Sequence, residues 1–234
     1  MQDLTLTLVQ TELAWQCADS NLAHCGNLLA PAAGATDIVI LPEVFSSGFS
    51  MDTGRIAQTM DGQSVEWMQA QAESLNSAVC GSLAISEGGK IYNRFVFATP
   101  GCAPQSYDKH HLFRMGGEKN HYAAGSSRVV INWRGWRISP MVCYDLRFPA
   151  WCRNHNHYDL QIFVANWPQK RAQHWRALLI ARAIENQCYL VGVNQGGRHS
   201  AARVTSGGSA IIDGWGSVLA EAGRGESCLV AELD

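Results

Sequence analysis

Apolar residues recur along this chain in two periods. Leu4 to Val9 alternates Leu and Thr before the pair Leu8 and Val9, the mark of a strand, and Asp19 is then the expected cap of a helix carrying Leu22, Cys25 and Leu29 on one face. Thr36 to Leu41 is a continuous apolar run of the kind buried on both sides, and it stops at Pro42 and Glu43. Asp61 to Ser77 returns to the helical period through Val65, Met68, Ala72 and Leu75, and Val79 to Ile85 predicts the next strand, closed by a turn at Gly88 and Gly89. Ile91 to Thr99 carries Phe95 and Phe97 on one face and Val96 and Ala98 on the other. Both faces need a cover, and a second sheet supplies one.

The second half repeats the pattern. Val129 to Trp133 and Trp136 to Val142 predict a strand pair around Arg134 and Gly135, and Leu160 to Ala165 and Tyr189 to Val193 predict buried strands. Between them, Arg171 to Gln187 predicts the longest helix. Trp175, Leu178, Leu179, Ile180, Ala183 and Ile184 nearly encircle it, so burial against more than one element is expected, a partner subunit among them. The Gly-rich remainder, turning at Asp213 and Gly214, predicts short antiparallel strands. Helices alternating with doubly covered strands define an α/β fold, with two sheets between helical layers. With 47% hydrophobic and 16% charged residues over 234 positions, a single domain spanning 1–234 is expected.

Charge narrows the partners. The net charge of −2, without a run of Lys and Arg, argues against nucleic acid, and no basic block beside an apolar helix marks a membrane surface. No apolar run reaches transmembrane length, and the start of the chain lacks the basic and apolar regions of an export signal. The 8 cysteines are scattered without a C-x-x-C, which fits reduced thiols and a cytoplasmic location. Cys152, His155 and His157 are zinc-ligand types, yet they crowd together without a fourth ligand, so no metal is expected. Gly207 and Gly208 lack the strand-to-helix context of a phosphate loop, so no nucleotide cofactor is expected either.

Candidate chemistry gathers where strands end. In MVCYDLRFP, Met141 to Pro149, Cys143 sits at the change from strand to turn, and Pro149 suits the first turn of a helix. Free N–H groups at such a turn favour negative charge, so the thiol is expected to lean toward thiolate and the turn to hold an oxyanion; burial as a small apolar residue is the alternative. Glu43 follows Pro42 at a strand end, where a carboxylate needs a partner or a function. Lys109, in SYDKHHLF, ends another short strand, and Glu118, in FRMGGE, follows two glycines; a solvated lysine and a loop carboxylate are their ordinary readings. Asn166 and Asn194 also follow buried strands, and α/β folds bind ligands at the carboxyl ends of strands. A thiol nucleophile, a carboxylate to carry its proton and an ammonium to steady an oxyanion make a complete set for amide hydrolysis.

LPEVFSSGF around Glu43, YDKHHLF around Lys109 and MVCYDLRFP around Cys143 resemble, in order and spacing, the nitrilase superfamily of carbon-nitrogen hydrolases. The likeness extends through ANWPQKRAQHW and ARAIENQCYLVGVNQ. It implies a four-layer αββα sandwich, with Glu43 as general base, Lys109 as oxyanion stabiliser, Cys143 as nucleophile and Glu118 as a second glutamate that positions the lysine or the substrate. The backbone N–H of Tyr144 would complete the oxyanion hole. CYDLRFP, KHHLFRMGGE and ANWPQKRAQHW look most like the bacterial omega-amidase branch. That likeness implies a small-molecule amide and water as reactants: the terminal amide of 2-oxoglutaramate or a related 2-oxo acid monoamide, cleaved to a 2-oxo dicarboxylate and ammonia.

Alternatives remain at this level: another small amide, an N-carbamoyl compound or a nitrile as substrate, or an acyltransferase that passes the thioester to an amine. Phe45 and Trp167 flank two motifs and are read as pocket walls or as core. Arg147 and Arg114 are guanidinium candidates for a substrate carboxylate, with an Arg147–Asp145 ion pair as the competing reading. A homodimer is expected. The family usually continues past the last strand, whereas this chain stops at Glu232, Leu233 and Asp234, and its loop from Gly196 to Gly208 looks divergent. Weaker pocket closure and subunit contact are the expected consequences.

Overall fold

The apolar runs resolve into two sheets packed face to face in the computed structural model, which describes residues 2–32, 34–155, 157–200 and 203–234. In chain order the first half holds β1 (Leu4–Gln10), α1 (Ala18–Leu29), β2 (Ile38–Ile40), α2 (Thr53–Ile56), α3 (Gln63–Leu75), β3 (Ala78–Glu87), β4 (Lys90–Thr99) and β5 (Cys102–Asp108). The second half holds β6 (Ile131–Trp133), β7 (Trp136–Val142), α4 (Pro149–Cys152), β8 (Leu160–Ala165), α5 (Ala172–Asn186), β9 (Tyr189–Asn194), β10 (Arg198–Ser200), β11 (Arg203–Val204), β12 (Ala210–Ile212), β13 (Val218–Glu221) and β14 (Ser227–Leu233). One six-stranded sheet has the order β14-β1-β2-β3-β4-β5 and the other β13-β12-β9-β8-β7-β6. β1, β2 and β3 run parallel in the first, as do β7, β8 and β9 in the second.

The period-two pattern assigns each strand face to a layer. Leu4, Leu6, Leu8, Phe95 and Phe97 join the core that runs through the second sheet, while Val9, Val39, Val96 and Ala98 turn outward onto α1 and α3. Those helices cover the sheet with the expected residues, Leu22, Cys25 and Leu29 on α1 and Val65, Met68, Ala72 and Leu75 on α3. α5 covers the other sheet with Trp175, Leu179 and Ala183, packed on β9 and β12. The result is the α/β, four-layer αββα sandwich. β14 closes the first sheet by pairing antiparallel along all of β1, from Leu4 opposite Leu233 to Gln10 opposite Ser227.

Boundaries moved for local reasons. α1 begins at Ala18 with Cys17 before it, so Asp19 lies inside the first turn instead of capping it. Its carboxylate favours the positive helix end there and accepts a hydrogen bond from Gln63 Nε2 at 2.7 Å. α3 and α5 end where Asn76 and Gln187 take left-handed φ of 49°. α5 is also less enclosed than its composition predicts, because Ile184 remains 50% exposed. Among the described residues no helix is long and apolar enough to cross a membrane. Residues 201 and 202 of the divergent loop lie outside the described residues.

Candidate active site

Both sheets deliver chemistry to the same edge. Lys109 follows the end of β5 and Glu43 lies just past β2 in the first sheet; Cys143 follows β7 and Asn166 follows β8 in the second. Cys143 takes a φ of 46°, in the left-handed region that side chains with a Cβ seldom occupy. It opens a short 3-10 helix, Cys143–Arg147, and Pro149 then starts α4 as expected for its fixed φ. Glu43 is followed by a similar bend, with Val44 at φ 47°.

Lys109 is the hub. Its Nζ donates to Glu43 Oε1 at 2.9 Å and to Glu118 Oε1 at 2.9 Å, and all three side chains are within 1% of complete burial. Asn93, on β4, donates from Nδ2 to the same two oxygens at 2.8 and 3.3 Å. The backbone N–H of Asn166 holds the other oxygen of Glu43 at 2.7 Å, and that of Phe113 holds the other oxygen of Glu118 at 2.5 Å. The main chain at Lys109 is equally fixed. Its N–H donates to Asn93 O at 3.0 Å, and its carbonyl accepts from Gly125 N at 2.9 Å. A Cβ at Gly125 would stand 2.2 Å from the Asp108 carbonyl oxygen, so this close approach needs glycine. Gly117, at φ 77°, makes the turn that delivers Glu118.

Two carboxylates around one ammonium set the protonation states. Burial disfavours the Lys109 ammonium, but the charges of Glu118 and Glu43 outweigh it and hold the amine well above its usual value. Burial raises Glu118, opposed by Lys109 and reinforced by Glu43. Burial also pushes the Cys143 thiol well up; Glu43 adds to this, Lys109 opposes it and Glu118 adds again. This corrects the expectation of a thiolate made by the turn's N–H groups. The resting sulfur is a neutral thiol.

The cavity at Cys143 is lined by Phe49, Lys109, Phe113, Cys143, Tyr144, Arg147, Asn166, Trp167, Pro168 and Arg171. Its free space is about 30 Å³, against the roughly 10–15 Å³ one water needs, so the floor admits a group of carboxamide size. Tyr144 and Trp167 are among the walls. Phe45 is not: it is fully buried in the apolar layer under α1 and α3, with the Trp67 ring 5.9 Å away, because the bend at Val44 turns it from the cavity. Arg147 does not pair with Asp145, whose carboxylate is turned inside and accepts from Val142 N, Tyr107 Oη and His111. Arg114 is exposed and outside the cavity lining. Asn93, Phe49, Phe113 and Arg171 escaped the sequence reading; Asn93 alone left a trace, as an amide in an otherwise mostly apolar strand.

A larger cleft of about 560 Å³ opens near the amino ends of β7, β8 and β9. It is the wrong end for this chemistry. Its cysteine, Cys188, is pushed up to about 12 by burial and has no carboxylate–lysine cluster beside it among the described residues.

A thiol on a strained elbow, beside a buried carboxylate and an ammonium at the seam of two sheets, is equipment for cleaving carbon–nitrogen bonds through a thioester. The carbon-nitrogen hydrolase family matches residues 5–234, and the chain belongs to it. It is 46% identical over 222 residues to omega-amidase YafV of Escherichia coli (strain K12), covering 95% of this chain and 86% of that protein. It is 33% identical over 235 residues to 2-oxoglutaramate amidase of Bacillus subtilis (strain 168), covering 98% and 90%. Among solved structures it is similar to XC1258 from Xanthomonas campestris, a CN-hydrolase superfamily protein with an arsenic adduct in its active site, at a TM-score of 0.96 and 44% identity over 100% of this chain and 91% of that one.

Proposed function

We propose that this enzyme is an omega-amidase, hydrolysing the terminal amide of a small 2-oxo dicarboxylic acid monoamide to the acid and ammonia. The observation that carries the reading is the Lys109 ammonium clamped by Glu43 and Glu118 beside the Cys143 thiol; the likeness to omega-amidase YafV and 2-oxoglutaramate amidase supports the substrate class. Cys143 Sγ attacks the amide carbon while Glu43 takes its proton. The oxyanion that forms is held by the Lys109 ammonium and the Tyr144 backbone N–H. Glu43 passes the proton to the nitrogen, the C–N bond breaks, ammonia leaves and a thioester remains. Glu43 then takes a proton from water, the hydroxide attacks the thioester, and the acid leaves as the proton returns to sulfur. Glu118 keeps Lys109 charged and in place throughout.

The eight cysteines are all free, which supports the cytoplasm as its compartment. A homodimer is the working form we propose, meeting at the exposed Ile184 of α5 and the exposed Trp215 of the turn after β12.

Ammonia release tests the reading on a panel of 2-oxoglutaramate, succinamate, glutamine, an N-carbamoyl amino acid and an aliphatic nitrile, with Cys143→Ala as control. Release from the first two, abolished in the control, is the expected result. Release from the nitrile or the N-carbamoyl compound alone overturns the substrate assignment, and full turnover by Cys143→Ala overturns the mechanism.

A further inference from the structure

A further cavity, of about 190 Å³, shares no residue with the one at Cys143. It lies against β7, between α4 and the segment that enters β6. Ser139 and Met141 of β7 are its buried part, Val129 and Trp151 are half-buried, and Arg128 and Arg153 are exposed at its rim. We propose that this cavity binds a small aromatic carboxylate, with the ring inward and the carboxylate at the two arginines.

The rim is cationic, and its guanidinium groups hold only main-chain carbonyls. Arg128 Nη1 donates to Arg153 O at 3.3 Å, and Arg153 Nη1 donates to Glu185 O at 2.8 Å. Among the described residues no carboxylate pairs with either arginine, and none lines the cavity. The Glu185 carboxylate is taken by Arg182 at 2.8 Å. By contrast Arg94, Arg134, Arg137 and Arg176 each pair with a carboxylate. Each guanidinium carries five donors in a fixed fork, so both rim arginines keep N–H groups for an anion.

Size and surface select the rest of the ligand. An inorganic anion at the rim would leave Val129, Met141 and Trp151 uncovered. A dry cavity of about 150 Å³ takes benzene, so this one holds a single ring and is too small for a nucleotide. Trp151 offers that ring an aromatic neighbour. Ser139 is 3% exposed, and among the described residues its hydroxyl makes no hydrogen bond. A buried hydroxyl without a partner is unfavourable, and a hydroxyl on the ring opposite the carboxylate would meet it. The site also touches the frame around Lys109: Trp151 Nε1 donates to Tyr107 Oη at 3.0 Å, and its ring stacks on His110 at 3.7 Å.

Calorimetry on the whole protein tests this with benzoate, 4-hydroxybenzoate, the neutral benzyl alcohol and inorganic phosphate. Cys143→Met fills the catalytic cavity and removes it as a competing site. Benzoate should bind both proteins alike, about tenfold more tightly than benzyl alcohol, and about tenfold more weakly in Arg128→Met or Arg153→Met. 4-Hydroxybenzoate should bind severalfold more tightly than benzoate, and Ser139→Ala should cancel that advantage. The indole N–H resonance of Trp151, assigned by its loss in Trp151→Phe, should move as benzoate binds. Binding lost in Cys143→Met but kept in both arginine variants puts benzoate in the catalytic cavity and overturns the proposal. Phosphate binding as tight as that of benzoate overturns it too, as does the absence of both heat and a Trp151 shift with either carboxylate at millimolar concentration.

Discussion

At Cys143, burial and the neighbouring charges pull in opposite directions only in part. Burial and the carboxylates of Glu43 and Glu118 favour the thiol, and the Lys109 ammonium and the Asn166 backbone N–H offset them only in part. The sulfur therefore waits protonated, ready to give its proton to Glu43 in the mechanism proposed above, and a neutral thiol is slow to react with stray oxidants and alkylators. The signs can be read directly. The thiolate absorbance step assigned to Cys143, taken as the difference from Cys143→Ala, should fall above the ordinary thiol value of 9.0. Glu43→Gln removes a charge that raises the pKa, so the step moves down; Lys109→Met removes the charge that opposes it, so the step moves up. A pH titration in ultraviolet absorbance checks all three. A step below 9.0 in the unsubstituted protein, or shifts of opposite sign, would contradict the assignment.

Among the elements, the ends of β5 and β7 have to be held in register for Lys109 and Cys143 to meet, and Asp145 does this. It is fully buried. One oxygen accepts from the N–H and Nδ1 of His111 at 2.8 and 2.9 Å, and the other from Tyr107 Oη at 2.8 Å and Val142 N at 3.2 Å. Its partners thus bracket Lys109 on one side and precede Cys143 on the other. His111 on Phe148, at 3.5 Å, and His110 on Trp151, at 3.7 Å, laminate the same two segments. In Asp145→Asn one of the accepting oxygens becomes an amide that faces donors, and each buried bond lost this way costs about 1–3 kcal/mol. We expect a lower melting temperature and a fall in kcat larger than the rise in KM, checked by thermal unfolding and steady-state kinetics; unchanged values for both would remove Asp145 from this role. The motifs around Glu43, Lys109 and Cys143 were legible because each is local: a strand end, a turn and a proline at the first turn of a helix. The reach of Asn93 from β4, and of Phe49, Phe113 and Arg171 into the same cavity, was not, because only sheet packing joins segments so far apart. Asp145 and Arg147 show the converse, being near neighbours in sequence that face different surroundings.

For the whole molecule, the site is a seam. Glu43 and Lys109 come from one sheet and Cys143 and Asn166 from the other, so the chemistry exists only while the sandwich is packed. α5 supports that seam from outside: Arg182 Nη2 donates to Leu146 O at 2.8 Å, within the 3-10 helix that begins at Cys143. The layers and the buried residues Trp175, Leu179 and Ala183 of α5 were legible from periodicity, but the open side carrying Gln173, His174, Arg176 and Ile184 was not, since that depends on how far the sheet extends beneath the helix. The open side carries Ile184, 50% exposed, and the turn after β12 seats against it, a Cβ at Gly216 falling 2.7 Å from Ile184 Cδ1. Trp215, next in the chain, is 91% exposed. Large apolar side chains left in water mark an interface, and the homodimer proposed above would cover Ile184 and Trp215. Burying a charge there is unfavourable, so Trp215→Glu and Ile184→Asp should each convert a dimer to a monomer in sedimentation analysis. Because α5 also props the Cys143 turn, the monomer should lose part of its kcat as well. An unsubstituted protein that sediments as a monomer at assay concentration, or variants that remain dimeric, would place the subunit contact elsewhere or remove it.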